Sequence, residues 1–247
     1  MTETDGMQSD VRTTAGNGSI VIRSLAGHLT LNDGVNPSDN TAVSAHGSGD
    51  IRLEAAGADA DLLANADIAS TAGHITLLAT RDVRFTAGAY LTTGEVGTIN
   101  VEAGNGLIEM NDQTKFSTGS GDLRLSASGN ILLGGIETTG NVALSSATGS
   151  ILDNGDSYTD VVATGLRINA EVGIGSLNTL DVNPIDTRVD ILTARATSGG
   201  INLLEETGLR VDDVAVTVHL VGIDAVGIPT TEVTQSDVRT TAGNGSI

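Results

Sequence analysis

Gly49-Asp50-Ile51-Arg52-Leu53-Glu54-Ala55 returns as Gly73-His74-Ile75-Thr76-Leu77-Leu78-Ala79, as Gly97-Thr98-Ile99-Asn100-Val101-Glu102-Ala103 and as Gly121-Asp122-Leu123-Arg124-Leu125-Ser126-Ala127. The shared frame is Gly-x-[Ile/Leu]-x-[Leu/Val]-x-Ala, and its glycines stand 24 residues apart each time. A fixed period of this length marks a repeat architecture. Within each frame apolar and polar residues alternate, the pattern of a half-buried strand. Ile51 and Leu53 are expected to point inward, Arg52 and Glu54 outward. One such strand cannot bury its own face. Stacking a copy every 24 residues places like residues above one another at roughly 4.8 Å, the strand spacing of a sheet. The Gly that opens each frame is expected to supply a turn needing a permissive backbone.

Weaker strands fill the intervals. From Ile75 the apolar anchors fall at Val83, Leu91 and Ile99, and from Ile99 at Ile108, Phe116 and Leu123. A 24-residue coil therefore holds three short strands and three turns. The fold class expected is all-β, a parallel β-helix (β-solenoid) of roughly triangular section, with the right-handed wind usual for parallel crossovers.

Composition agrees with a thin core. Aromatic residues are 2% of the chain (Phe85, Phe116, Tyr90 and Tyr158), against 39% hydrophobic and 32 glycines. Ladders of Ile, Leu, Val and Ala need no aromatic bulk. There is no cysteine, hence no disulfide, thiol ligand or thiol nucleophile. A net charge of −19 disfavours nucleic acid, whose phosphates require basic patches. It favours solubility and leaves room for loosely held divalent cations such as calcium. No stretch approaches the ~20 apolar residues of a membrane span, and Met1 to Met7 is too polar for a signal peptide.

Gln8 to Ile20 and Gln235 to Ile247 are the same thirteen residues, 227 positions apart. Residues 1–7 are read as a leader of the fragment, 8–234 as one solenoid module and 235–247 as the start of the next. At 24 residues a coil, 227 residues make between nine and ten coils, about 45 Å. Two stretches break the period: an insertion from Asp33 to Ser48, with a surface turn at Asn36-Pro37-Ser38-Asp39-Asn40, and a polar loop from Asp153 to Asp160. Anchors resume at Leu166, Ile168, Ile174, Leu180, Val182, Ile191, Ile201, Leu203 and Leu209. Val211 to Ile223 is richer in Val, and reads as either a wider coil or a small hairpin at the module seam.

The frame itself, with Ser128-Gly129-Asn130-Ile131-Leu132-Leu133 and Ala147-Thr148-Gly149-Ser150-Ile151-Leu152, resembles the repeat regions of filamentous-haemagglutinin-like adhesins and other giant β-strand-repeat surface proteins of Gram-negative bacteria. The likeness covers most of residues 11 to 210. It implies a long right-handed β-helical shaft, exported and displayed at the cell surface. Its partners would be neighbouring copies of the module, with a surface glycan or receptor as an alternative. The family's coil length is not kept at the two insertions, and its secretion motif is absent.

Few residues offer chemistry. The position after the frame Gly forms a column, His28, Asp50, His74, Thr98 and Asp122. Stacked in adjacent coils, His28, Asp50 and His74 would make a metal-binding or pH-sensitive ladder. The simpler reading is three solvated turn residues, because a metal needs several converging ligands. Gly47-Ser48-Gly49-Asp50 and Gly119-Ser120-Gly121-Asp122 are similar to part of a calcium-binding nonapeptide but lack its tandem period. Glu205-Glu206 and Asp212-Asp213 are strand neighbours that point to opposite faces, not acid–base couples. No nucleophile, base and orienter can be assembled, so no enzyme is expected. A polysaccharide-active β-helix is the least favoured of three readings, behind the shaft and a carbohydrate- or receptor-binding adhesin that works through its insertion loops.

Overall fold

The computed structural model describes residues 10–35, 39–178, 181–243 and 245–247. Every regular element among them is a strand, and the chain winds as a β-solenoid of three faces. The first face stacks Ile20–Ser24, Ile51–Ala55, Ile75–Ala79, Ile99–Ala103, Leu123–Ala127 and Asn141–Ser146. It continues with the second halves of Val161–Ala170 and Ile185–Ala196. The second face is a six-stranded parallel sheet running from Leu29–Leu31 to Ile151–Asp153. The third runs from Val11–Arg12 through Thr41–Ala45, Asp67–Ser70, Leu91–Thr93, Lys115–Ser117 and Gly135–Glu137 to the first halves of the same two long strands. Six coils are complete. In the next two the second face narrows to single bridges at Ile174 and Ile201.

The register is the one the frame demands. Ile51, Ile75, Ile99 and Leu123 are consecutive Cα partners, as are Leu53, Leu77, Val101 and Leu125. All eight side chains are completely buried. Burying an aliphatic side chain of this size contributes about 1.5–3 kcal/mol, and the ladder repeats it on three faces of every coil. Phe85 and Phe116 meet edge to face inside the column, with centroids 4.7 Å apart.

The frame glycines have a different cause from the one expected. None of the four adopts a positive φ. Each lies against the carbonyl of the Gly one coil below. A Cβ at Gly73 would stand 2.1 Å from Gly49 O, and one at Gly121 would stand 1.9 Å from Gly97 O. The absence of a side chain lets neighbouring coils close to hydrogen-bonding distance at that corner.

Four expectations are corrected. The insertion after Asp33 contains the third-face strand Thr41–Ala45, with Val43 in the core; residues 36–38 of its turn lie outside the described residues. Leu192, not Ile191, is the core residue of its coil, because Leu192 pairs with Leu166 and points inward. Val182 and Leu177 are exposed on an antiparallel excursion, Ser176–Asn178 against Asp181–Asn183, and Leu180 is outside the described residues. Finally, the 227 positions from Ile20 to Ile247 span eight coils and one face, fewer than nine, chiefly because of two segments: the first coil is enlarged, with Ile20 pairing with Ile51, and Asp212 to Ser236 leaves the wall.

That second segment answers the question posed by the valine-rich stretch. It is a hairpin, Thr217–Val221 against Gly227–Thr231, but it is not confined to the seam. It leaves the first-face wall after Val211, which pairs with Leu192, and the wall resumes at Val238, which pairs with Ala194. Between these points it folds back along the outside of the first face as a strap.

Candidate functional site

Two columns of polar side chains line the corners. At the entry to the first face the column is Ser19, Asp50, His74, Thr98, Asp122 and Asn141. At four of its five steps a backbone N–H donates to the side chain one coil below: Asp50 N to Ser19 Oγ (3.0 Å), His74 N to Asp50 Oδ1 (2.7 Å), Thr98 N to His74 Nδ1 (3.1 Å) and Asn141 N to Asp122 Oδ1 (2.8 Å). His28 does not belong here, contrary to expectation. The enlarged first coil puts Ser19 in the column and sends His28 to the second-face entry. There His28 Nδ1 accepts from Asp61 N (3.0 Å), and Asp61 and Asp82 repeat the device. His28, Asp50 and His74 are therefore not one cluster. Among the described residues no three His, Asp or Glu side chains are grouped to hold a metal ion. The column residues satisfy the donors of a tightly stacked corner. Asp61 is held below the usual carboxylate range by its hydrogen bond from Arg81, helped by the N–H of Asp82 and opposed by burial.

The strap lies over this column. Thr217 N donates to Asp122 Oδ2 (2.7 Å), His219 N to Thr98 Oγ1 (2.9 Å) and Val221 N to Thr76 Oγ1 (2.9 Å). Two strap residues, which rise about 6.6 Å, thus match one coil of about 4.8 Å, so the strap crosses the ladder obliquely. Val214, Val216 and Val218 pack beneath it on Ala143, which explains why Thr76, Asn100 and Thr193 are buried although they face outward. Arg124 and Arg167 grip Glu232, with Arg124 Nε 2.5 Å from Oε1. The His219 ring stacks on His74 at 4.0 Å between centroids and 17° between planes. Nδ1 of His74 accepts the Thr98 N–H, so the ring is neutral in this arrangement. Burial, with His219 alongside, lowers its pKa, and Asp50 opposes the shift.

The third face carries the other concentration of polar and aromatic groups. Tyr158, from the loop Asp153 to Asp160, lies flat over Gly135, where a Cβ would stand 2.9 Å from Tyr158 Cβ. The loop is held by Asp112, whose carboxylate accepts from Ser157 N (2.8 Å) and Ser157 Oγ (2.6 Å). Tyr158 hydrogen-bonds Tyr90, which raises the Tyr90 pKa. Lys115 Nζ sits 5.9 Å from the Tyr158 ring centroid and pairs with Glu137. Tyr158, Lys115, Glu137, Thr159 and Arg188 line an open cavity of about 180 Å³. The two tyrosines are the only ones in the chain, and they form one shelf.

Behind the shelf the core turns polar. Asp153 holds the register position of Leu133, Met110 and Phe85 in the coils below. Asp160 is 1% exposed, and its Oδ2 accepts from Asp186 N (2.8 Å). Burial pushes its carboxyl up to about 9, with Asp153 and Asp186 adding to the effect.

The strap and the Tyr90–Tyr158 pair were not among the sequence candidates. Period-two alternation in Val214-Ala215-Val216-Thr217-Val218 was the available signal for the strap. For the shelf it was the location of Tyr158 in an insertion loop. Comparison with protein-family models, curated proteins and solved structures returned no match. The fold and its surface define a β-solenoid with a strapped first face and an aromatic shelf on the third.

Proposed function

We propose that the chain is a structural shaft module of a giant exported bacterial surface protein, whose units join end to end. The observation that carries this reading is the second copy of the thirteen-residue segment. It adds a rung to the solenoid, with Val238–Thr240 paired on Ala194–Ala196 and Ile201 N donating to Ser246 O (2.8 Å). A solenoid gains stability from each neighbouring coil it acquires. A chain of two fused units should therefore unfold at a higher urea concentration than one, and light scattering should show single units associating as concentration rises. A fused chain no more stable than its parts, with single units monomeric throughout, would remove the reading.

The shelf favours a second reading, an adhesin module that takes a carbohydrate or receptor through the loop Asp153 to Asp160. Tyr158 offers an apolar ring face beside the polar groups of Lys115, Glu137 and Arg188, the mixture that small-ligand sites use. A glycan array probed with the wild-type chain and with Tyr158→Ala tests it. Binding lost in the variant supports this reading, and an array without a positive removes it.

A further inference from the structure

Asp10 and Asp237 hold the same place in the two copies of the repeated segment, and so do Gly16 and Gly243. Locally the copies fold alike. Asp10 and Asp237 have φ of 62° and 72°, and Gly16 and Gly243 have φ of 68° and 69°. Thr13 Oγ1 donates to Gly18 O (3.0 Å), and Thr240 Oγ1 donates to Gly245 O (3.4 Å). Yet they stand on different sides of the solenoid.

In the first copy Val11 pairs with Val43 on the third face, the chain turns, and Ile20 pairs with Ile51 on the first. In the second copy Val238 pairs with Ala194 on the first face. The chain turns again, and the bond from Ile201 N to Ser246 O puts Ile247 over Ile201 on the second. The first-face column from Ile20 runs through Ile51, Ile75, Ile99, Leu123, Val142, Leu166 and Leu192 to Val211, which is eight coils. Ile247 lies one face beyond.

We infer that consecutive 227-residue units run as one uninterrupted solenoid in which each unit is advanced by a single face, a third of a turn, relative to the unit before. This rests on the shaft reading above. The corner turn is self-contained; it joins the rung above it in the first copy and the rung below it in the second, on different sides of the solenoid, so nothing ties it to one side. The next unit would then lay its strap along the second face and the one after along the third. Three units would carry a strap and a tyrosine shelf on every side of the fibre before the pattern repeats.

A chain of four consecutive units, residues 8–234 four times over followed by 235–247, imaged by electron cryomicroscopy, tests this directly. The expected map is a continuous rod whose straps step by a third of a turn, the fourth above the first. Straps all on one side of a continuous rod would overturn the one-face advance while leaving the shaft reading intact. Units separated by gaps or tumbling independently would overturn both.

Discussion

Replacing Gly121 by Ala isolates the contact that sets coil spacing. The new Cβ would stand 1.9 Å from Gly97 O and 2.6 Å from Gly97 C, both backbone atoms. Ordinary contact begins near 3.4 Å, so the corner must open by more than 1 Å. Across the same corner Ile99 N donates to Asp122 O at 3.2 Å, and Ser120 N to Glu95 O at 2.5 Å. Opening the corner stretches both bonds, at about 1 kcal/mol each, and adds an overpacking cost of about 1–3 kcal/mol. The expected loss is about 3–5 kcal/mol. Gly27→Ala is the matched control, because nothing lies within 4 Å of its Cβ and its φ is not positive. That change should be neutral, or stabilise by about 0.4–1 kcal/mol through the unfolded chain. Urea unfolding followed by far-ultraviolet circular dichroism measures both. Equal midpoints for the two variants would refute the close-approach explanation of the frame glycines.

Burial lowers the His74 pKa below its unfolded value, so docking of the strap is fully stabilised above about pH 6.5 and weakens as pH falls below it. Amide exchange at Thr217, His219 and Val221 should therefore accelerate between pH 7 and 5 relative to Ile99, and uniform protection would contradict the neutral-ring assignment. Asp160 behaves oppositely. Its folded pKa is raised to about 9, so the fold holds a proton that the unfolded chain releases, and stability declines as pH climbs from about 4 to about 9. Asp160→Asn should remove a slope of up to about 1.4 kcal/mol per pH unit, and parallel urea-midpoint curves for variant and wild type would disprove it. Arg124→Ala removes the closer of the two arginines that hold Glu232 and should expose the strap to limited proteolysis while leaving the β-sheet spectrum unchanged; equal cleavage rates would deny the Arg124–Glu232 pair its anchoring role.

The stack was legible because its signal is repetition. Ile51, Ile75, Ile99 and Leu123 recur at one interval, and only a solenoid makes such residues neighbours. The three-strand coil followed from Val83, Leu91, Ile108 and Phe116 by the same logic. The strap was not legible in position, because its partners lie up to 169 residues away, as in the bond from Arg52 Nη1 to Val221 O. The bond from Val221 to Thr76 is another, and no periodicity links such residues. Its alternation showed a strand but could not show what it covers. The column containing Asp50 and His74 was correctly aligned, while His28 was misplaced because the first coil is longer than 24 residues: Ile20 pairs with Ile51. The tyrosine shelf depends on where one loop folds over Gly135, and that is fixed by Asp112 and Ser157 rather than by the repeat.

Matching side chains form vertical files along a thin aliphatic core. Nitroxides on the outer second face measure this directly, and the chain's lack of cysteine makes every engineered thiol unique. Arg84 and Glu109 are Cα partners one coil apart, Leu63 precedes them by one coil and Leu132 follows. Pairs at 84/109, 63/109 and 63/132 should report backbone separations near 5, 10 and 14 Å, one strand spacing per coil. Equal or unordered separations, or the absence of strong dipolar broadening for the 84/109 pair, would show that these residues do not stand in file.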